Sequence, residues 1–357
     1  MIPVTKSYLP NKEKYQSYVD QIYASGWMTN NGPLVQKLEE RLSKYLGVKH
    51  VICVANGSLA LQLSYKVLGL KGEVITTPFS FVATTSTLAW EDLKPIFADI
   101  NPNTYNLDYQ NIEKLITKET SAIAPVHVFG NPCEVEKIQE IANKHNLKVV
   151  YDAAHAFGAQ YKGGSVLSYG DISTLSFHAT KMFHTIEGGA VITNNDELAK
   201  KIRLQINFGI TGLTTIDLVG TNAKMNEFEA AMGLCVLDEI EIIQEQRAEI
   251  WKDYQENLSG LVTFQQWNRH SQNNCAYAPV LFESEDQLLE IEAKLKGSDI
   301  IPRRYFYPSL DTLEYLHSKQ VCKNSRNIAS RILCLPIYSG LDNESLQKVI
   351  KLLGELK

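Results

Sequence analysis

Between His50 and Asn195, seven short runs rich in β-branched and apolar residues recur: HVICVAN, EVITTPFSFV, KPIFADI, SAIAPVHVFG, KVVYDAA, STLSFHA and AVITNN. Stretches with helical periodicity stand between them: SLALQLSYKVLGL, NIEKLITKE and VEKIQEIANKHN. Strands this continuously apolar need both faces covered, and parallel strands need helical crossovers, so the spacing predicts a mostly parallel sheet between helices, an α/β domain. Past Asn222 the texture changes. MNEFEAAMGLCVLDEIEIIQEQRAEIWKDYQENL has one glycine, no proline and many strong helix formers, which predicts one long helix leaving the large domain. Beyond it TFQQW, NCAYAPVLF and IIPRRYFYPS read as strands, and EDQLLEIEAKLKG and NESLQKVIKLLGEL as helices, of a smaller α+β lobe. The expected division is residues 1–235, with the N-terminal segment, in the large domain and 236–357 in the small one.

A chain of 357 residues has length enough for two such lobes. A net charge of -5 without a long Lys/Arg block argues against nucleic acid or a membrane surface as partner, while permitting a local basic pocket for an anionic ligand. MIPVTKSYLPNKEKYQ has no apolar signal core and no run is long enough to span a bilayer, so a soluble cytoplasmic protein is expected. The cysteines, Cys53, Cys133, Cys235, Cys275, Cys322 and Cys334, form no C-x-x-C pair; free thiols are expected, and no metal site.

Four motifs sit where strands end or helices begin, the place where ligands collect on an open parallel sheet. Asn56-Gly57-Ser58 runs from a strand into a helix, and its backbone N–H groups either receive an N-cap or cradle a phosphate. Asp152 ends an apolar strand in VVYDAAHAFG with His155 following; it is either a capping acid beside a packed histidine or the partner of a protonated pyridine nitrogen. Phe79 and Phe81 in TTPFSFVATT either fill core or cover a planar ring. Ser176 and Lys181 bracket FHAT on the next strand, and that lysine is either solvated or an amine nucleophile. The order of phosphate turn, covering aromatic, acid and then Ser and Lys resembles fold-type I pyridoxal 5'-phosphate enzymes.

At SGWMTNNGPLVQKLEERLSKYLG, PVHVFGNPCEVEKIQEIANKH, YDAAHAFGA, SFHATK, EGGA and LCLPIYSGL the chain resembles the DegT/DnrJ/EryC1/StrS sugar-nucleotide aminotransferases, nearly end to end. The resemblance implies a fold-type I transferase with a mostly parallel seven-stranded sheet and a smaller C-terminal domain. It implies that Lys181 carries the cofactor aldehyde covalently and that Asp152 pairs with the ring nitrogen. His155 stands where many relatives have a glutamine on the phenolic oxygen, and Gly57, Ser58 and Ser176 match phosphate-binding positions. Phe81 matches the ring-stacking aromatic, with Phe79 the second choice. Asn222 matches an asparagine that reaches the neighbouring subunit's phosphate, which implies a homodimer with shared active sites.

Two departures stand out: Ile186 precedes Glu187-Gly188-Gly189 where many relatives have glycine, and Asp311 lies where the family has a histidine. IPVTKSYLP, TNNGP and SFHATK look most like enzymes that aminate dTDP-4-keto-6-deoxyglucose at C4 with L-glutamate as donor. Relatives acting on a 3-keto sugar share SFHATK, so that alternative stays open, as does a non-catalytic binding protein on the same fold. Arg303 and Arg304 are candidates for the nucleotide diphosphate, and His178 and His184 for the sugar.

Overall fold

The computed structural model describes residues 1–355. The central sheet contains β1 (His50–Val54), β2 (Glu73–Thr76), β3 (Lys94–Phe97), β4 (Thr120–Ala124), β5 (Lys148–Asp152), β6 (Ile172–Ser176) and β7 (Gly189–Thr193). Their spatial order is β1-β7-β6-β5-β4-β2-β3, and each comes from one of the seven apolar runs. Only β7 runs antiparallel to its neighbours; the remaining pairs are parallel.

Helices α1 (Lys12–Ser25), α2 (Pro33–Leu46), α3 (Gly57–Val67), α4 (Ala83–Trp90), α5 (Val135–His145), α6 (Asp196–Gln205) and α7 (Glu227–Asp238) accompany this sheet. Strand periodicity of two explains how they divide. Val51 and Cys53 of β1 join the cluster that α1, α2 and α7 cover, whereas Ile52 and Val54 meet α3 and α6 on the opposite face. Burial on both faces is why these strands read as unbroken apolar runs.

The C-terminal part builds an antiparallel sheet of β8 (Thr263–Phe264), β9 (Ala278–Leu281) and β10 (Ile332–Leu335), with β9 in the middle. Around it lie α8 (Ile240–Leu258), α9 (Glu285–Gly297), α10 (Lys323–Arg331) and α11 (Asn343–Gly354). Leu356, at the end of the stretch expected to form the last helix, lies outside the described residues. An aromatic cluster of Phe79, Tyr105 and Phe129 with Phe306 joins the two sheets.

The structure differs from the sequence expectation at four places. The long helix is two, because Glu239 leaves helical geometry (φ -112°, ψ 8°) between α7 and α8. Its carboxylate is taken by the Tyr8 hydroxyl and the Asn11 amide, so the N-terminal segment ties down the break. NIEKLITKE forms no α-helix: a 3-10 turn at Tyr109–Asn111, capped by Asp108, runs into its first residue, and a second occupies Glu113–Leu115 within it. Helix α4 arises in a threonine-rich stretch with no clear apolar stripe. Within IIPRRYFYPS only Ile300–Ile301 is strand, paired to Ile2–Pro3, while β10 supplies the edge of the small sheet. Among the described residues no helix is long and apolar enough to cross a membrane.

Candidate active site

The carboxyl ends of β1, β5 and β6 open onto a cavity of about 370 Å³, closed on its far side by Tyr277, Arg303, Tyr305 and Phe306. Gly57, Ser58, Phe81, Asp152, His155, Ser176 and Lys181 all line it. Asn222 does not; it stands on an exposed segment bridged to Asn207.

Helix α3 starts at the cavity wall. The Asn56 side chain caps it by accepting the Leu59 amide at 2.9 Å, leaving the first N–H groups beside Ser58 and Ser176. Gly57 lets the helix start pack closely on β6, since a Cβ there would lie 3.0 Å from the Ser176 Cβ and 3.3 Å from its Cα. A helix N-terminus flanked by two hydroxyls is a ready anion cradle.

Asp152 ends β5, 6% exposed. Thr84 of α4 donates to its Oδ2 at 2.7 Å and the Ala154 amide to its Oδ1 at 3.1 Å; Ser80 continues the chain to Thr84 at 2.8 Å. Burial pushes this carboxyl above the ordinary carboxylate range, opposed by the Thr84 and Ala154 hydrogen bonds and by the Lys181 charge. An acid so buried is suited to a cationic partner inside the cavity.

Lys181 lies not on β6 but five residues beyond Ser176, in the connection to β7, where its amide bonds to the His178 carbonyl at 2.8 Å. The strand period would put every second side chain on one face; the turn instead swings the amine into the cavity, 3.0 Å from the Tyr277 hydroxyl. His155 is 5% exposed and stacks on Phe306 at 5.5 Å. Its Nδ1 accepts the Phe129 amide at 3.3 Å, so a neutral ring carries its proton on Nε2. Burial and then the Lys181 charge hold its pKa well below the usual value.

The aromatic pair divides: Phe79 is fully buried in the cluster between the sheets, and Phe81 lines the cavity with 53% of its surface free. The two histidines divide likewise. His178 lines the cavity, held by Thr180 at 2.7 Å and facing Glu187 at 3.5 Å. His184 is buried away from it, between the Tyr8 carbonyl (2.8 Å) and the Ile186 amide (3.2 Å). Ile186 sits at φ +73°, a strained region for a β-branched residue and one that glycine adopts freely.

Arg303 reaches the cavity rim, whereas Arg304 is engaged by Glu285 (2.7 Å) and the Ser330 carbonyl (2.8 Å). Asp311 is buried and bound by Ser309 (2.6 Å), the Cys322 amide (3.0 Å) and Arg326 (2.8 Å), which makes it a structural anchor. Sequence reasoning missed Thr84 and Tyr277. Thr84 lies in a helix without an apolar stripe, and Tyr277 two residues before Pro279 in what reads as a plain strand.

The donor set fits a phosphorylated pyridine aldehyde: an anion cradle, a buried acid for a cationic ring atom and an amine share one cavity. A family model described as DegT/DnrJ/EryC1/StrS aminotransferase family matches residues 10–354. A dTDP-4-amino-4,6-dideoxy-D-glucose transaminase of Shigella dysenteriae is 44% identical, covering 99% of this chain and 98% of its own length. GDP-perosamine synthase of Escherichia coli O157:H7 is 31% identical, with 99% and 98% covered. Among solved structures, DesI in the presence of its TDP-sugar product superimposes with a TM-score of 0.94 at 34% identity, covering 99% of this chain and 92% of that one. The chain belongs to the DegT/DnrJ/EryC1/StrS aminotransferase family and is a pyridoxal 5'-phosphate-dependent enzyme.

Proposed function

We propose that the protein moves the amino group of L-glutamate to dTDP-4-keto-6-deoxyglucose, forming dTDP-4-amino-4,6-dideoxyglucose, a precursor of surface polysaccharide such as O-antigen. The observation that carries this reading is the convergence of the Lys181 amine and the buried Asp152 carboxyl on one cavity, in a chain 44% identical to a transaminase named for that product.

Bound pyridoxal phosphate supplies an electron sink. In the proposed arrangement Lys181 holds the cofactor through its Nζ and, once released, carries a proton between donor and acceptor carbons. The Asp152 carboxylate keeps the ring nitrogen protonated, and Thr84 and the Ala154 amide keep that carboxylate aimed and ionised. Neutral His155 offers its Nε2–H to the phenolic oxygen. Gly57, Ser58 and Ser176 surround the phosphate, and Phe81 covers the ring face. Arg303 is assigned to an anionic substrate group, because it is the guanidinium on the cavity rim.

Asn222 is assigned to the site of a second copy, which makes the working unit a homodimer. Supporting this, its neighbourhood exposes Phe208, Leu213, Ile216 and Val219, an apolar surface that a second copy would cover. A cytoplasmic location accords with six cysteines that are all free and buried.

Borohydride treatment of protein loaded with pyridoxal phosphate should fix the cofactor on the Lys181 peptide; fixation elsewhere would remove the site assignment. Incubation with L-glutamate and, separately, 3-keto and 4-keto dTDP sugars should yield an amine at C4 by NMR. Amination of the 3-keto sugar alone would replace the substrate assigned here.

A further inference from the structure

The Lys181 amine has a partner that none of these roles uses. The Tyr277 hydroxyl lies 3.0 Å from Nζ, and the ring centroid is 5.7 Å from that nitrogen. The ring is wedged edge-on against His155 at 4.7 Å and against Tyr305 at 5.8 Å. Tyr277 thus touches the reacting nitrogen on one side and packs on a cavity-lining histidine on another.

The segment leading to Tyr277 is clamped from behind by the side chains of Arg247 and Asn274. Arg247, 4% exposed on α8, donates its Nε to the Cys275 carbonyl at 2.9 Å and its Nη2 to the Ala276 carbonyl at 2.7 Å. Among the described residues no carboxylate pairs with it. A buried guanidinium without a counter-charge is costly, and this one is spent on the two carbonyls immediately before Tyr277. Asn274 adds a second tie: its Nδ2 donates to the His155 carbonyl at 2.9 Å and the Phe157 carbonyl at 3.2 Å, while its Oδ1 accepts the Ala276 amide at 3.2 Å. Asn274 thus ties the segment that follows Asp152 to the segment that leads through Tyr277 into β9.

We propose that Tyr277 is a further catalytic residue, which receives the Lys181 amine whenever that amine is not bonded to the cofactor, and that Arg247 and Asn274 are its positioning residues. The inference rests on Lys181 being the anchor. A phenol suits this task because its oxygen accepts from an ammonium and its O–H donates to a neutral amine. It can therefore hold Nζ in both protonation states while the lysine takes a proton from one carbon and returns it to the other. Tyr277 itself neither gains nor loses a proton over the cycle. Without the hydroxyl a flexible four-carbon stem would leave the amine free to swing, and proton transfer depends on its being held within reach.

The test compares wild type with Tyr277→Phe, which keeps the ring and its packing. In cofactor-free protein, a pulse of acetic anhydride followed by peptide mass spectrometry gives the acylation rate of Lys181 relative to the exposed Lys200. Tyr277→Phe should raise that ratio at least about threefold, and Arg247→Met should raise it while the phenol is still present. In loaded enzyme, single-turnover rates of both half-reactions should fall about tenfold in Tyr277→Phe with little change in KM. Wild-type acylation together with wild-type single-turnover rates would overturn the inference. So would a raised KM at an unchanged single-turnover rate, which would make Tyr277 a substrate contact. Should Arg247→Met fail to fold, Tyr277→Phe decides alone. Borohydride fixation on Lys181 of the wild type separates the outcomes: if it occurs and Tyr277→Phe is silent, only the tyrosine's role falls.

Discussion

Replacing Thr84 by valine deletes one buried hydroxyl and leaves a side chain of almost the same shape. That hydroxyl donates to Asp152 Oδ2 at 2.7 Å, and the residue is fully buried. Among the influences opposing the burial that pushes the Asp152 carboxyl upward, the Thr84 hydrogen bond is the largest. A hydrogen bond to an ionised group contributes about 1.5–3 kcal/mol, or about 10- to 150-fold in the ratio of ionised to neutral carboxyl at 1.36 kcal/mol per decade. Only the ionised form can hold a protonated ring nitrogen. Loss of the bond favours the neutral form, so the acid limb of the kcat profile should move to higher pH, with the rate recovering in alkali. The assay is kcat across mildly acid to alkaline pH for wild type, Thr84→Val and Thr84→Ser, the serine keeping the limb where the wild type has it. A limb that does not move in Thr84→Val, or a depression equal at every pH, would mean that Thr84 only shapes α4 and would refute the reasoning.

Asp152→Asn should still bind the cofactor while both half-reactions slow about 100- to 1,000-fold, read by stopped-flow absorbance; an unchanged rate would mean another group protonates the ring. Because the folded-state pKa of Asp152 lies above its ordinary value, its ionised form destabilises the cofactor-free fold at neutral pH, and that penalty fades as pH falls through the raised value. Asp152→Asn should accordingly raise the Tm of cofactor-free protein at neutral pH and gain less in acid; a lower Tm at neutral pH contradicts this. Gly57→Ala puts a Cβ 3.0 Å from that of Ser176, and overpacking of about 1–3 kcal/mol at the anion cradle should weaken cofactor affinity about tenfold, measured by fluorescence titration. His127 is buried with its pKa lowered to about 3 by desolvation, so its contribution is complete above the unfolded value and is lost as pH falls toward about 3. Near pH 5 that loss is about 2 kcal/mol, and urea unfolding of His127→Gln should show a correspondingly flatter acid dependence.

Every central strand was legible because burial on both faces writes an unbroken apolar run, a signal that neighbouring loops cannot imitate. Helix α4 was not, since Thr84, Thr85 and Thr87 are β-branched and all face inward, the reverse of an amphipathic pattern. The hidden helix is the one that delivers a hydroxyl to Asp152. The break at Glu239 was invisible for another reason: it depends on Tyr8 and Asn11, more than two hundred residues away in sequence. Local propensity over that stretch reads as continuous helix, and a tertiary contact overrides it.

The candidate site follows the same division. Asp152, Gly57 and Ser176 end strands or begin a helix, so topology alone gathers them at one edge of the sheet. Lys181 enters by a turn, and Tyr277, Arg303 and Phe306 come from the far side of the cavity, across contacts for which no spacing rule exists. The sequence order of the first group could suggest a cofactor because each member is fixed by the α/β framework. In the proposed roles the second group holds the amine and meets the substrate, and its placement is set by how the small sheet packs on the large one through Phe79, Phe129 and Phe306. If those roles hold, reaction class is carried by the framework and selectivity by the packing between the sheets. On this argument, substitutions in that aromatic cluster should alter the preference between 3-keto and 4-keto sugars before they impair cofactor attachment to Lys181.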